Sequence, residues 1–98
     1  MNSLAVVQVD LDYNELKLSI LRLLSDHRAS DSVAIAAGLE ALGIRLHMHA
    51  VRMALVRYYR QGLLTRQRRS GLYVYEISER GMKRLEWLQS VRSTDDSR

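Results

Sequence analysis

Arginine side chains are the residues of this 98-residue chain whose type and spacing could do chemistry, and they concentrate in its middle third. Residues 41–75 contain seven arginines and two histidines but no Asp or Glu, whereas residues 1–40 hold three basic and six acidic side chains. The net charge of +4 therefore conceals one strongly basic segment. Such a concentrated positive field is expected of a protein that binds a phosphate backbone. The alternative is a solvated charged face, but such faces usually mix both signs, and here the acidic residues are missing.

The choice of arginine favours nucleic acid as the partner. Thirteen of the fifteen basic residues are Arg, and a guanidinium group can bind guanine or phosphate in a bidentate manner. Tyr58 and Tyr59 raise the alternative of single-strand binding, because exposed aromatic rings beside arginine can stack on bases. Helical spacing places Tyr58 on the apolar arc of its helix and Tyr59 at the margin, which favours packing for both rings.

Catalytic chemistry finds little support in the sequence. The absence of Cys excludes thiol nucleophiles, disulfides and cysteine-type zinc sites. His47 and His49 are two residues apart and do not share a helix face, so we expect no metal and no cofactor. The sequence contains no glycine-rich phosphate loop, no paired-carboxylate pattern and no histidine with a partnered acid. We therefore expect a protein that is not an enzyme.

Three predicted helices position the first part of the basic segment. The first runs from Asp12 to about Asp26, because Asp12 and Glu15 have the spacing of a capping box, and His27 lies at its end. The second is capped by Ser30 or Asp31 and closed by Gly43, and the third covers about residues 46–61. The predicted inward residues are Leu16, Ile20, Leu23 and Leu24 in the first helix, Ile35, Ala36, Leu39 and Leu42 in the second, and Met48, Val51, Ala54, Leu55 and Tyr58 in the third.

A hairpin and a last helix are predicted next. Residues 63–69 and 72–78 form two strands around Ser70-Gly71, with the arginines crowded toward the exposed tip. Ser78 caps a last helix that ends near residue 91. Its predicted inward stripe is Met82, Leu85, Leu88 and Val91, with Trp87 beside it. Residues 4–11 alternate loosely like a strand that needs a partner, and the alternative for them is a disordered leader.

The order helix, helix, basic helix, basic hairpin, helix resembles the winged helix-turn-helix domain of small transcription regulators, the broad group that includes the MarR, ArsR and PadR families. The run AVRMALVRYYRQGLLTR, residues 50–66, is similar to the recognition helix and the start of the wing. The run YEISERGMKRL, residues 75–85, is similar to the join between the wing and the last helix. No particular family is assigned.

The resemblance covers about residues 12–90 and implies a mainly α fold with a small β-hairpin wing. The expected organisation is an N-terminal strand or arm at residues 1–11, a winged helix-turn-helix domain at 12–91 and a flexible tail at 92–98.

The implied activity is sequence-specific binding of double-stranded DNA, with the third helix in the major groove and the wing, residues 66–72, on the backbone or in the minor groove. Arg45-Leu46-His47 replaces the Ser or Thr cap that is usual in these families, which leaves open which histidine faces the groove. The residues that match the family's groove-reading positions are His47, His49 and Arg52, with Met53 and Val56 placed for thymine methyl groups. Those that match phosphate and wing positions are Arg57, Arg60, Arg66, Arg68 and Arg69, and Arg45 completes the predicted set.

A second copy of the chain is the other expected partner, besides double-stranded DNA. We expect a homodimer through residues 3–11, the last helix at 79–91, or both, because both ends carry extra apolar residues and one small module buries little DNA. The competing interpretation is a winged-helix protein-interaction module in which Met53, Val56 and Tyr59 form a partner-binding patch. The apolar stretch near the N-terminus is too short for a membrane span or a signal peptide, so we expect a cytoplasmic protein that associates with the nucleoid when bound. A repressor is the expected regulator, although the sequence does not distinguish repression from activation.

Overall fold

The computed structural model describes residues 13–96. In chain order the elements are α1 (Tyr13–Asp26), β1 (Ser30–Asp31), α2 (Ser32–Ala41), α3 (Met48–Arg60), β2 (Leu64–Arg69), β3 (Leu72–Ile77) and α4 (Glu79–Asp96). Four helices pack with a small antiparallel sheet, which is the predicted winged helix-turn-helix architecture. The predicted cap at Asp12 and the predicted strand at residues 4–11 lie outside the described residues.

The ends of α2 form as the sequence predicts. The Asp31 Oδ1 atom accepts the backbone N–H of Ala34 at 2.9 Å and so caps the first turn. Gly43 adopts a φ of +87° after the last turn. The N–H of Ile44 then donates to the Leu39 carbonyl at 2.9 Å, which turns the chain back and lets Ile44 pack against the core.

Helix α3 begins at Met48, after an N-cap residue, His47, whose side chain makes no capping hydrogen bond. It ends at Arg60, and Gly62 follows with a φ of +81°, after which the Leu63 N–H donates to the Tyr58 carbonyl at 2.9 Å. Its inward arc agrees with the prediction, since Met48 is half-buried and the fully buried residues are Val51, Ala54, Leu55 and Tyr58.

The hairpin has the predicted register, from Leu64 opposite Ile77 to Arg69 opposite Leu72. Both residues of its two-residue loop have positive φ, at 52° for Ser70 and 82° for Gly71, as tight hairpin turns require. A third strand, β1, pairs with β3 through residues 30–31 and was not predicted. Two polar residues carry no detectable alternation, so this strand exists only because the tertiary fold brings it to the edge of β3.

Three of the predicted inward faces are partly wrong. In α1, Leu18 and Leu21 are buried while Leu16 and Leu23 are only half-buried, because α2, α4 and β3 together cover a wider arc than one stripe. In α2, Leu42 is exposed, since it follows the last helical turn. The remaining differences lie in α4, where Met82, Trp87 and Val91 are exposed.

Helix α4 packs through a different face from the predicted one. Gly81, Leu85 and Leu88 are buried against the rest of the molecule. The small residue at position 81 lets the helix backbone approach the core, and this rotates Met82 outward. The helix also continues through Asp96, beyond the end near residue 91 that the sequence predicts.

Candidate nucleic-acid interface

Two depressions adjoin on the surface of α3 and contain most of the predicted DNA-binding residues. The wing cleft, of about 380 Å³, lies between α3, the hairpin and the start of α2. A shallower depression of about 290 Å³ follows the exposed side of α3. The wing cleft is lined by Asp31, Ser32, Val33, Arg52, Leu55, Val56, Arg66, Arg68, Gly71, Leu72, Tyr73 and Tyr75. The shallower one is lined by Met53, Val56, Arg57, Arg60 and Gln61. Because Val56 lines both, the arginines of helix and wing share one continuous surface.

The predicted residues differ in exposure. Val56, Arg57 and Arg66 are half-buried. Met53 is 44 % exposed, so its apolar side chain is accessible at the surface. The remaining predicted residues are all exposed: Arg45, His47, His49, Arg52, Arg60, Arg68 and Arg69.

Alternation along β2 divides the wing arginines between two faces. Arg66 and Arg68 lie on the face that packs toward α3, together with Leu64 at the base. Arg69 lies on the other face, where its Nη2 atom is 3.4 Å from the Gln67 Oε1 atom. The wing can therefore present cations both toward the helix and away from it.

Arg66 is held between two aromatic rings. Its guanidinium carbon lies 4.1 Å from the ring centroid of Tyr59 on α3 and 4.1 Å from that of Tyr73 on β3. A hydrogen bond to the side chain of Tyr75 is the main reason that the pKa of Arg66 is raised above its ordinary value. We call this arrangement of Arg66 between two rings the Tyr59–Arg66–Tyr73 stack. The prediction that all three wing arginines crowd toward the tip is wrong for Arg66, because Arg66 is held against α3.

Arg68 is less constrained. Its guanidinium carbon lies 5.3 Å from the Tyr73 centroid, on one side only, and the side chain is exposed. It is therefore free to leave the ring for a stronger anionic partner, since an exposed cation–π contact contributes only about 0.5–1 kcal/mol.

A second basic cluster lies between α3 and α1. The Arg57 guanidinium lies 5.5 Å from the Tyr13 ring centroid and 5.6 Å from that of Tyr58, and Lys17 Nζ lies 5.5 Å from the Tyr58 centroid. Burial, followed by repulsion from Arg84 and Arg57, lowers the pKa of Lys17. Arg57 is therefore directed toward α1 rather than toward the wing.

The Tyr58 ring at the centre of that cluster is only 1 % exposed. Its hydroxyl is buried and makes no hydrogen bond of standard geometry with the described residues. Burial raises the pKa of Tyr58, and the neighbouring Arg57 offsets part of this effect. Tyr58 is thus a core residue, as its helical position predicts, and is not available to stack on bases.

Acidic side chains next to this surface are few and engaged. Glu40 of α2 lies 3.4 Å from Arg45, and both side chains are more than half exposed. Asp31 lines the wing cleft, but its carboxylate caps α2. The wing cleft therefore has three guanidinium groups against one carboxylate that is already hydrogen-bonded, which keeps its potential positive.

Sequence reasoning missed the aromatic part of the site. No pattern in the sequence singles out Tyr73, and the helical position of Tyr59 favours packing or a partner-binding patch. A signal was present in the hairpin register, which places Arg68 opposite Tyr73 and Arg66 opposite Tyr75. The contribution of Tyr59 depends on how the hairpin folds back on α3, which the register does not give.

Residues 13–96 give no support to metal binding or membrane insertion. In this part of the chain no group of three or more His, Asp or Glu side chains is placed to hold a metal ion. None of the helices described is both long and apolar enough to cross a bilayer.

The architecture matches solved structures, although the sequence matches no family profile and no curated protein. A PadR family transcriptional regulator from Eggerthella lenta DSM 2243 superposes with a TM-score of 0.77 at 18 % identity, covering 97 % of this chain and 88 % of that one. The transcriptional regulator BldR from Sulfolobus solfataricus gives 0.66 at 21 % identity, over 90 % and 60 % of the two chains. A MarR family protein from Bacillus stearothermophilus gives 0.65 at 18 %, over 81 % and 53 %.

These likenesses establish the fold class. The chain has the winged helix-turn-helix fold that is found in MarR- and PadR-type transcriptional regulators. It spans about half the length of the MarR-type structure that it matches.

Proposed function

We propose that this protein binds double-stranded DNA and acts as a small transcription regulator. The observation that carries the proposal is the continuous basic surface on α3 and the wing, in which two depressions meet at Val56. An α-helix about 10–12 Å across fits the major groove, which is about 12 Å wide. A wing beside that helix then lies next to the adjacent backbone.

Base reading is proposed for the first half of α3. His49 and Arg52 are exposed there, and His47 occupies the N-cap, so these side chains lead into the groove. Arg52 lines the wing cleft and can offer a bidentate pair of N–H donors to guanine. Met53 and Val56 supply apolar contact for thymine methyl groups, which gives a role to the exposed methionine.

Phosphate contacts are proposed for the arginines that border this region. Arg57 and Arg60 line the depression beyond Val56, and Arg68 and Arg69 project from the two faces of the wing. Arg45 would exchange the carboxylate of Glu40 for a phosphate, at little cost because exposed ion pairs contribute about 0–1 kcal/mol.

The regulatory setting is also part of the proposal. We propose a homodimer, formed through α4, residues 3–11 or both, that represses by occupying its DNA site in the cytoplasm. One of the matching structures is described as an antimony-specific transcriptional repressor, AntR, with a TM-score of 0.63 at 21 % identity. The DNA-binding unit is residues 12–91, preceded by the arm at 1–11.

The salt dependence of binding to random duplex DNA tests the proposal. Five phosphate contacts per chain predict a log Kd against log salt slope with a magnitude on the order of 4–5 per chain, measured by fluorescence anisotropy. Arg68→Gln should lower this magnitude by about 0.9, whereas Arg22→Gln, an exposed arginine on α1 outside both depressions, should leave it unchanged. A chain that serves as a protein-interaction module instead would show no duplex binding even at low salt.

A further inference from the structure

The outer part of the wing has little support from the sheet. Strands β2 and β3 have six residues each, but β1 reaches only Val74 and Tyr75. Residues 68–73 therefore form a two-stranded ribbon without a third strand, and isolated two-stranded hairpins are at best marginally stable in water. Something else must hold this ribbon at a fixed distance from α3.

The Tyr59–Arg66–Tyr73 stack lies where the support from β1 ends. It joins α3, β2 and β3 through one side chain, with 4.1 Å from the guanidinium carbon to each ring centroid. The guanidinium is therefore in contact with one ring on α3 and one on β3. Contacts with rings on two elements restrict the Arg66 side chain, so its N–H donors cannot follow a phosphate as freely as those of Arg68.

We propose that Arg66 is a positioning residue, which fixes the wing relative to α3 rather than contacting DNA itself. The proposal rests on the proposed DNA-binding function and assigns Arg66 a different role from its neighbours Arg68 and Arg69. The wing is then already ordered in the free protein, so the conformational entropy of ordering it does not reduce the affinity for DNA.

The chemistry of the stack requires arginine in particular. A guanidinium is planar and weakly hydrated, so two rings can cover it at once, whereas an ammonium is compact and strongly hydrated. Lysine preserves the charge at position 66 but not the double stacking. Arg66→Lys therefore separates a positioning role from a phosphate contact, because a phosphate contact tolerates lysine far better.

The first test uses the free protein and does not depend on DNA. In the wild-type protein, NMR should show the Arg66 side-chain protons shifted upfield by the two rings, relative to those of Arg69. The cross-strand hydrogen-bonded amides within residues 68–73 should exchange about 3- to 10-fold faster in Arg66→Lys, Tyr59→Leu and Tyr73→Leu. Unchanged exchange in all three variants would refute the positioning role.

The second test measures duplex affinity across a range of salt. Arg66→Lys and Arg66→Gln should both weaken binding by about 3- to 10-fold at every salt concentration, with the wild-type slope retained. Arg68→Gln is the matched control, and it should lose about 0.9 from the magnitude of the slope. The positioning role is overturned if Arg66→Lys binds like the wild-type protein while Arg66→Gln loses slope, because that pattern identifies a phosphate contact.

Coupling between the residues gives a third readout. If the stack acts as a unit, Tyr73→Leu combined with Arg66→Lys should weaken binding little more than either change alone. Fully additive losses of duplex affinity would show that Arg66 and Tyr73 do not act together. If the wild-type protein binds no duplex at all, the proposed function fails, while the exchange measurements still decide whether the stack fixes the wing.

Discussion

Gly81, in the first turn of α4, packs directly against the main-chain carbonyl of Leu63, where α3 turns into the wing. A β carbon at position 81 would overlap that carbonyl oxygen and lie 2.7 Å from the Cγ1 atom of Ile77. The same carbonyl accepts the N–H of Ser78 at 2.9 Å. The last helix, the base of the wing and the end of α3 thus meet at a single peptide group.

Replacing this glycine should be far more damaging than its helical position suggests. Gly81→Ala is expected to lower the free energy of unfolding by about 3 kcal/mol, because the overlap is with backbone that cannot rotate away. Gly43→Ala is the matched control, since Gly43 has a φ of +87° but open space around it, and about 1 kcal/mol is expected there. Urea denaturation of both variants measures the difference, and equal losses would contradict it.

Ser78 secures the same junction through its side chain. Its Oγ atom donates to the Gly62 carbonyl at 2.6 Å and accepts the Gly81 N–H at 3.0 Å, so it caps α4 and ties it to the end of α3. Ser78→Ala should cost about 1–2 kcal/mol of unfolding free energy, with substantial recovery in Ser78→Thr. Ser25→Ala removes only an exposed bond to the Arg22 carbonyl and should be nearly neutral by the same thermal or urea measurement.

Local chemistry accounts for how much of this fold could be predicted. The cap at Asp31, the stop at Gly43 and the hairpin register are set by residues close in sequence, and all three are confirmed. The faces of α1 and α4 were partly wrong, because burial there depends on which elements pack on them. Gly81 is the clearest case, since only the fold shows that the carbonyl of Leu63 lies beside it.

The candidate site divides in the same way. The basic character of α3 and the wing follows from composition, and the exposure of Arg52 and Arg68 agrees with it. The stacking of Arg66 between Tyr59 and Tyr73 needs the angle between hairpin and helix, which has no local signature. Exposure alone does not establish contact with bases or phosphates, so those roles remain predictions.

Tyr58 predicts a specific response to alkaline pH. Its pKa is raised in the folded protein, so folding favours the neutral phenol. The corresponding stability is fully present below the unfolded pKa, about 10, and is lost as pH rises toward and through the folded pKa. Tyr58→Phe should therefore reduce the loss of stability between pH 9 and about pH 11, as measured by urea denaturation at several pH values.

Tyr58→Phe also tests whether the Tyr58 hydroxyl has a hydrogen-bond partner. Because the Tyr58 hydroxyl is buried without a standard hydrogen bond among the described residues, its removal at pH 7 should change the unfolding free energy by less than about 1 kcal/mol. The lowered pKa of Lys17 makes stability rise with pH, which is opposite to the effect of Tyr58. Lys17 is present in both the wild-type protein and Tyr58→Phe, so its contribution is common to the two. A loss of several kcal/mol at pH 7 would reveal a partner for the hydroxyl.

Arg52 and Arg68 should affect DNA binding in different ways. Arg52→Ala is expected to relax base preference at one position by about 1–3 kcal/mol, because it removes a bidentate contact with a base edge. Arg68→Ala should weaken all sequences alike, since a phosphate contact carries no base information. Selection of bound duplexes from a random library, repeated with each variant, measures both effects. Identical preference profiles for the two variants would show that the division into base and phosphate contacts is wrong.

Trp87 predicts the surface through which two copies associate. It is 57 % exposed on α4, and Val91 lies one helical turn further along the same side. Large exposed apolar side chains at this spacing favour contact with a second copy. Trp87→Glu should give a monomer by analytical ultracentrifugation, whereas Met82→Gln, an exposed residue on a different side of α4, should leave the dimer intact.

The two candidate dimer surfaces can be separated with the same assay. If Trp87→Glu remains dimeric and removal of residues 3–11 gives a monomer, association runs through the N-terminal segment instead. Loss of the dimer should also weaken specific binding much more than random-duplex binding per chain, because two half-sites are read together only when two recognition helices are joined. A Trp87→Glu monomer with wild-type affinity for the selected duplex would show that one chain is sufficient for recognition.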